Sequence, residues 1–108
     1  KSILNLKYKK VLTGQCTAYT NDAGDSGSWT STGKHVAVGL VAVDPRVIPY
    51  GTKMWITSAD GSVVYGYAIA ADTGGALRSG KVLVDLFMNT LTECNSFGRR
   101  NMKVYILE

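Results

Sequence analysis

Val82-Leu83-Val84-Asp85-Leu86-Phe87 sets one aspartate in the middle of an apolar run with no turn residue beside it. The run has the length of a buried strand. An ionised carboxylate in such surroundings must be paired, hydrogen-bonded or protonated. Two further segments repeat the pattern at strand ends: Ala70-Ala71-Asp72-Thr73-Gly74-Gly75-Ala76, and Val38-Gly39-Leu40-Val41-Ala42-Val43-Asp44-Pro45. Turn formation accounts for Asp44 before Pro45 and for Asp72 before Thr73-Gly74-Gly75, but it does not account for Asp85. The expectation is that the fold gathers Asp44, Asp72 and Asp85 into one site.

Working outward, the chain reads as strands. Residues 9–20, 36–43, 53–57, 63–71, 82–87 and 102–107 are rich in β-branched and aromatic residues and are bounded by turn formers. Asp60-Gly61 suits a type I′ hairpin, and Gly66 suits a bulge or a close backbone approach. Residues 72–80 read as a glycine-rich loop. Residues 89–96 read as a two-turn helix capped by Asn89, with Gly98 beyond its end. The sum is a mostly-β, closed architecture with one short helix near the C-terminus and no βαβ alternation. Residues 1–8 read as an arm or linker remnant before a domain at 9–108.

The chain has 108 residues, 45% hydrophobic and 19% charged, which is one ordinary globular domain. No apolar run reaches the roughly 20 residues that span a bilayer. The net charge of +4 comes with basic residues near both ends, read as solvated surface or as attraction to an anionic polymer. No recognition-helix, zinc-finger or RRM pattern points to nucleic acid. With His35 as the single histidine and Cys16 and Cys94 far apart, zinc and Cys-His chemistry are not expected, nor is any metal or cofactor. A Cys16–Cys94 disulfide and two buried thiols are both open. Trp29, in a polar loop, reads either as a staple to the core or as a platform for a sugar ring.

The remaining acids have local explanations. Asp22 and Asp25 lie in the polar loop, Asp60 in a turn, Glu93 on the short helix and Glu108 at the end. Asp72-Thr73-Gly74 occurs in one copy, so an aspartic protease would have to be a dimer.

Several segments together resemble the 3D domain, named for three aspartates and found in secreted and wall-associated bacterial proteins. They are Cys16-Thr17-Ala18-Tyr19-Thr20, Ser31-Thr32-Gly33, Val41-Ala42-Val43-Asp44-Pro45, Val47-Ile48-Pro49-Tyr50-Gly51-Thr52, Ala71-Asp72-Thr73-Gly74-Gly75-Ala76, Val84-Asp85-Leu86-Phe87, Phe97-Gly98-Arg99-Arg100 and Val104-Tyr105-Ile106-Leu107. The segment from Ala76 to Leu83 is longer than such domains usually carry. The family resembles the catalytic domain of MltA-type lytic transglycosylases. That resemblance implies a double-psi β-barrel of about six strands. It also implies an extracytoplasmic setting, peptidoglycan glycan strands as partner, and further domains upstream.

The implied reaction cleaves the bond from N-acetylmuramic acid to N-acetylglucosamine and leaves a 1,6-anhydro end. Ordinary glycosidases need two carboxyl groups. Here the sugar's own hydroxyl is the nucleophile, so one acid of raised pKa can serve twice. The resemblance assigns general acid/base to Asp85, orientation or pKa tuning to Asp72 and support to Asp44. It places Thr73, Gly74, Gly75, Tyr19, Thr32 and Arg99 along the substrate. A non-catalytic wall-binding module is the alternative from another class.

Overall fold

The computed structural model describes residues 2–21 and 29–108. Its strands are β1 (Ser2–Ile3), β2 (Leu6–Tyr19), β3 (Leu40–Val43), β4 (Lys53–Thr57), β5 (Val64–Asp72), β6 (Val84–Phe87) and β7 (Arg100–Leu107), with helices α1 (Gly75–Arg78) and α2 (Leu91–Phe97). The strands run in the order β1-β2-β6-β3-β5-β4-β7, and β7 pairs back onto β2. That return closes six strands into a barrel and leaves β1 as an extra strand on β2. Pairings β2–β6 and β3–β5 are parallel, and the others in the ring are antiparallel. Closure removes the unpaired edges that an open sheet would expose. This is the closed, mostly-β barrel that the sequence led us to expect.

Alternation in the strands builds the core. Met54 and Ile56 on β4 are fully buried, as are Val84 and Leu86 on β6 and Met102 and Val104 on β7. With Val41, Val43, Ile48, Ala68 and Ala70 they form one cluster. Tyr65 clamps this cluster across the barrel. Its hydroxyl donates to the Phe87 carbonyl and accepts from the Gly39 N–H, both at 2.8 Å.

Several local expectations change. The first strand starts earlier, because residues 2–8 fold back as a hairpin in which Ser2 pairs with Lys7 and Ile3 with Leu6. The strand expected over 36–43 is regular only from Leu40. The hairpin at Asp60-Gly61 is not type I′, which needs positive φ at both central residues. Gly61 has it (φ 77°) and Asp60 does not. Asp60 Oδ1 instead accepts from Ser58 Oγ, Ser62 N–H and Ser62 Oγ, pinning a wider loop. Gly66 does sit at a bulge: Ile56 pairs with Gly66 while Thr57 pairs with Val64.

The expected glycine-rich loop contains a four-residue helix, α1, whose Leu77 is buried. The C-terminal helix is capped by Thr90 rather than Asn89, through a capping box with Glu93. Thr90-x-x-Glu93 is the sequence signature of that box. Asp22 and Asp25 of the polar loop lie outside the described residues.

Candidate functional site

Register brings two of the three aspartates together. Across β2–β6, Thr17 pairs with Asp85; across β6–β3, Asp85 pairs with Ala42; across β3–β5, Ala42 pairs with Asp72. Laterally paired residues share a sheet face. Asp85 and Asp72 therefore flank Ala42, two inter-strand spacings or about 10 Å apart at the backbone. A bulge makes this possible. Val41 pairs with Ala70, yet Ala42 pairs with Asp72, so Ala71 is the extra residue. Without it Asp72 would oppose Val43, which is fully buried in the core. Bulges re-aim side chains in this way beside functional sites.

Ala42, Leu77 and Val82 form a small second apolar cluster, with Tyr19 packed on it. Ala42 brings this apolar floor beside Asp85, its register partner. Burial raises the Asp85 pKa, the Thr17 hydroxyl lowers it by donating to Oδ1 at 2.9 Å, and the charge of Asp72 raises it again. Burial is the largest of these causes. Asp72 is held differently. Its Oδ1 accepts from Ser31 N–H (2.9 Å), Ser31 Oγ (2.7 Å) and Thr73 N–H (2.9 Å). The pair is therefore unequal in its surroundings: Asp72 is held by three donors on one oxygen, and Asp85 is desolvated with one.

Tyr19 lies over the same floor, edge-on to Phe87 with centroids 5.5 Å apart. Its hydroxyl is buried with no hydrogen-bond partner among the described residues. The Asp72 carboxylate stands close enough to act on it, but outside hydrogen-bonding geometry. Burial first, then the charges of Asp72 and Asp85, push the phenol pKa upward, so Tyr19 remains a neutral donor. Among the described residues this buried hydroxyl therefore stands near both acids without a partner in hydrogen-bonding geometry.

Asp44 stands apart from this pair. It forms a two-bond fork with Arg46, Nε to Oδ1 and Nη2 to Oδ2, both 3.0 Å. The Arg46 bonds hold the Asp44 carboxyl below the usual range. Arg46 also donates to the Arg78 carbonyl at 2.7 Å, at the end of α1. Arg78 in turn reaches Thr73 Oγ1 at 3.5 Å, and Thr73 N–H holds Asp72. A chain of contacts thus runs from Asp44 through Arg46, α1 and Thr73 to Asp72. It lines a neighbouring groove of about 330 Å³ with Gln15, Lys81 and Val82.

The expected substrate residues fall as follows. Thr32 bonds the Ala71 carbonyl through both its N–H (3.3 Å) and its hydroxyl (2.8 Å), next to Asp72. Gly74 caps α1 in an extended conformation, and a Cβ on Gly75 would meet nothing within 4 Å, so this wall is open to a ligand. Arg99 is exposed and precedes Arg100, which pairs with Cys16, one residue before Thr17. Trp29 is 65% exposed and edge-on to His35, not stapled to the core. Thr17, Ser31 and Ala42 carry site geometry without having been singled out. Thr17 alternating with buried Cys16 was the available signal.

The disulfide left open from the sequence is not formed. Cys16 is a thiol in the barrel core, donating weakly to the Gly14 carbonyl, and Cys94 is a buried thiol on α2. Among the described residues no cluster of His, Cys, Asp and Glu fits a metal, and no helix is long and apolar enough to cross a membrane.

Known proteins share this framework. The chain is 39% identical over 108 residues to the cell wall-binding protein YocH of Bacillus subtilis, a match covering 95% of this chain and 34% of that protein. It is 36% identical to the Bacillus subtilis cell wall shaping protein YabE, whose assignment is itself provisional, covering 91% of this chain and 23% of that one. The chain therefore spans about a third or less of these relatives. Among solved structures, MltA from E. coli superposes with a TM-score of 0.60 at 20% identity, covering 74% of this chain and 27% of that one. This likeness is one of fold. The 3D domain matches residues 39–108, a stretch that holds all three aspartates and five of the six barrel strands, and the chain belongs to the 3D domain family.

Proposed function

We propose that this domain cleaves peptidoglycan glycan strands as a lytic transglycosylase, with Asp85 as the single general acid/base. The observation that carries the reading is the unequal pair: Asp85 raised by burial and by Asp72, and Asp72 held by three donors. A carboxyl raised by burial and by a like-charged neighbour is suited to serve as the general acid.

Protonated Asp85 gives its proton to the glycosidic oxygen as the bond from C1 of N-acetylmuramic acid to that oxygen breaks. The C6 hydroxyl of the same muramic ring then attacks C1 and loses its proton to the Asp85 carboxylate. The products are a free N-acetylglucosamine hydroxyl and a 1,6-anhydro end, and the enzyme is restored. Asp72 keeps the Asp85 proton in place and counters positive charge on the ring. Tyr19 Oη donates to a substrate oxygen between the acids. Thr73, Gly74 and Gly75 form the wall, Thr32 and Arg99 extend it, and Asp44 positions it through Arg46. The setting is extracytoplasmic, at the wall. Relatives named for wall binding and wall shaping, and the fold shared with a lytic transglycosylase, support this reading.

The name of the first relative also favours a second reading, a wall-binding module without catalysis. Digesting purified wall and analysing soluble products by mass spectrometry separates the two. Anhydro-muropeptides that vanish in Asp85→Asn support the enzyme. Wall binding without soluble product supports the module.

A further inference from the structure

A second groove, of about 370 Å³, lies on the outer wall of the barrel. Its floor is Trp55 on β4 and Tyr105 on β7, which pair across the strands. Both point outward, because Met54, Ile56, Val104 and Ile106 on either side are core residues. Leu4 forms one wall, Val64 the opposite one, and Asp60 the rim. In the ring order, β4 stands three strands from β6 in either direction, so this groove is opposite Asp85.

Three features bear on what the groove could hold. Leu4 is 70% exposed and has φ 48°, followed by Asn5 at 65°. Both positive φ values belong to the two-residue type I′ turn that joins β1 to β2, and that turn leaves the Leu4 side chain exposed at the groove. Val64 adds a second apolar side chain, 54% exposed. Asp60 is held ionised at about 2 by the Ser62 and Ser58 donors, all of which bond Oδ1. Its Oδ2 keeps its acceptor capacity.

We infer that this groove binds a pyranose unit, with the apolar ring face on Trp55 and Tyr105 and ring hydroxyls donating to Asp60. An aromatic face suits the C–H face of a sugar, and an ionised carboxylate accepts hydroxyl protons that a neutral group accepts less well. The fixed negative charge at the rim selects a neutral sugar over an anionic one. The identity of that sugar, an N-acetylhexosamine of the glycan strand, rests on the function proposed above. The groove would hold the strand on the face opposite the acid pair.

The test is an NMR titration of the Asp85→Asn protein with the tetramer of N-acetylglucosamine, following both tryptophan indole N–H signals. Saturable movement of Trp55 is expected, with Trp29 as the internal comparison. Val64→Lys should weaken that response at least tenfold and Asp60→Asn several-fold, while cleavage of short soluble glycans by proteins carrying wild-type Asp85 is unchanged. Leu4→Asp provides a second block at the opposite wall. An unmoved Trp55, an unchanged affinity in Val64→Lys and Leu4→Asp, or a response to N-acetyl-lysine amide and not to the saccharide would overturn the inference. Anhydro products with an unmoved Trp55 would leave the proposed reaction standing alone. A saturable Trp55 response without anhydro products would leave the groove standing alone.

Discussion

Asp85 and Asp72 face each other across Ala42, each in register with it on a neighbouring strand. Their coupling has a direct test. Asp72→Asn removes a like charge, so the Asp85 pKa should fall, yet stay above the ordinary value because burial is the larger cause. Thr17→Val removes the hydroxyl that lowers it, so the pKa should rise further. Carboxyl-carbon NMR titration of Asp85 reads both. Movement in the same direction in the two variants would rule out this account of the site.

The gap between the acids depends on a methyl group. Ala42 is 4% exposed and packs with Leu77 and Val82. Ala42→Leu should cost about 1–3 kcal/mol through overpacking. Glycan cleavage should fall more steeply than stability, because the added side chain fills the space a sugar oxygen would take. Ala42→Gly, which leaves the space open, should retain more activity than Ala42→Leu. Denaturant unfolding and product release measured on the same preparations separate the two effects.

The sequence made Asp85 conspicuous because nothing local explained an acid there. Its partners were less legible, since strand register is a long-range property. Thr17 and Asp85 are 68 positions apart and adjacent only because β2 and β6 run parallel. The bulge at Ala71 that turns Asp72 toward Ala42 leaves no mark in Ala70-Ala71-Asp72. Asp44 looked like a third member because it too follows an apolar strand. Its actual partner, Arg46, is two residues away, and such a short-range pair was open to reading from Asp44-Pro45-Arg46. The closed barrel was legible because alternation and turns are local signals. The starts of β2 and α2 were not placed correctly, since hairpin return and cap choice each shift a boundary without disturbing the pattern.

Asp85→Asn should stabilise the fold at neutral pH. The folded-state pKa of Asp85 is raised above its unfolded value, chiefly by burial. Such a group contributes fully below the unfolded pKa, about 3.9 for aspartate. Its contribution is lost as pH rises through the folded value. The amide removes that loss while keeping an acceptor for Thr17. Melting temperatures should therefore be higher for Asp85→Asn at neutral pH, with the difference shrinking as pH falls toward 4. An equal offset at both ends of the range would mean that Asp85 is not desolvated.

Asp44 should show the opposite dependence. Its carboxyl is held low by Arg46, so the stability it brings is present above the unfolded pKa and lost as pH falls through the folded one. Arg46→Ala should destabilise modestly at neutral pH and little in acid. It should also loosen α1, because the bond to the Arg78 carbonyl goes with it. Hydrogen exchange should then quicken at Arg78 N–H and Ser79 N–H, which bond Gly74 and Gly75 carbonyls, while α2 is unaffected.

Cys16 gives a readout of barrel opening. It is fully buried beside Val84 and Arg100 in register, and burial leads the effects that push its thiol up to about 12. A thiol attacks as its thiolate, so native Cys16 should resist alkylation at pH 8. Modification should proceed through opening of β2 from β6, and its rate should follow the unfolding equilibrium when closing outpaces reaction. Peptide mapping after timed alkylation, with and without denaturant, gives the protection directly. Asp85→Asn, expected to tighten the fold at neutral pH, should slow Cys16 modification in proportion to its gain in stability. Rapid labelling of Cys16 in the native protein would show that β2 and β6 separate more readily than a closed barrel allows.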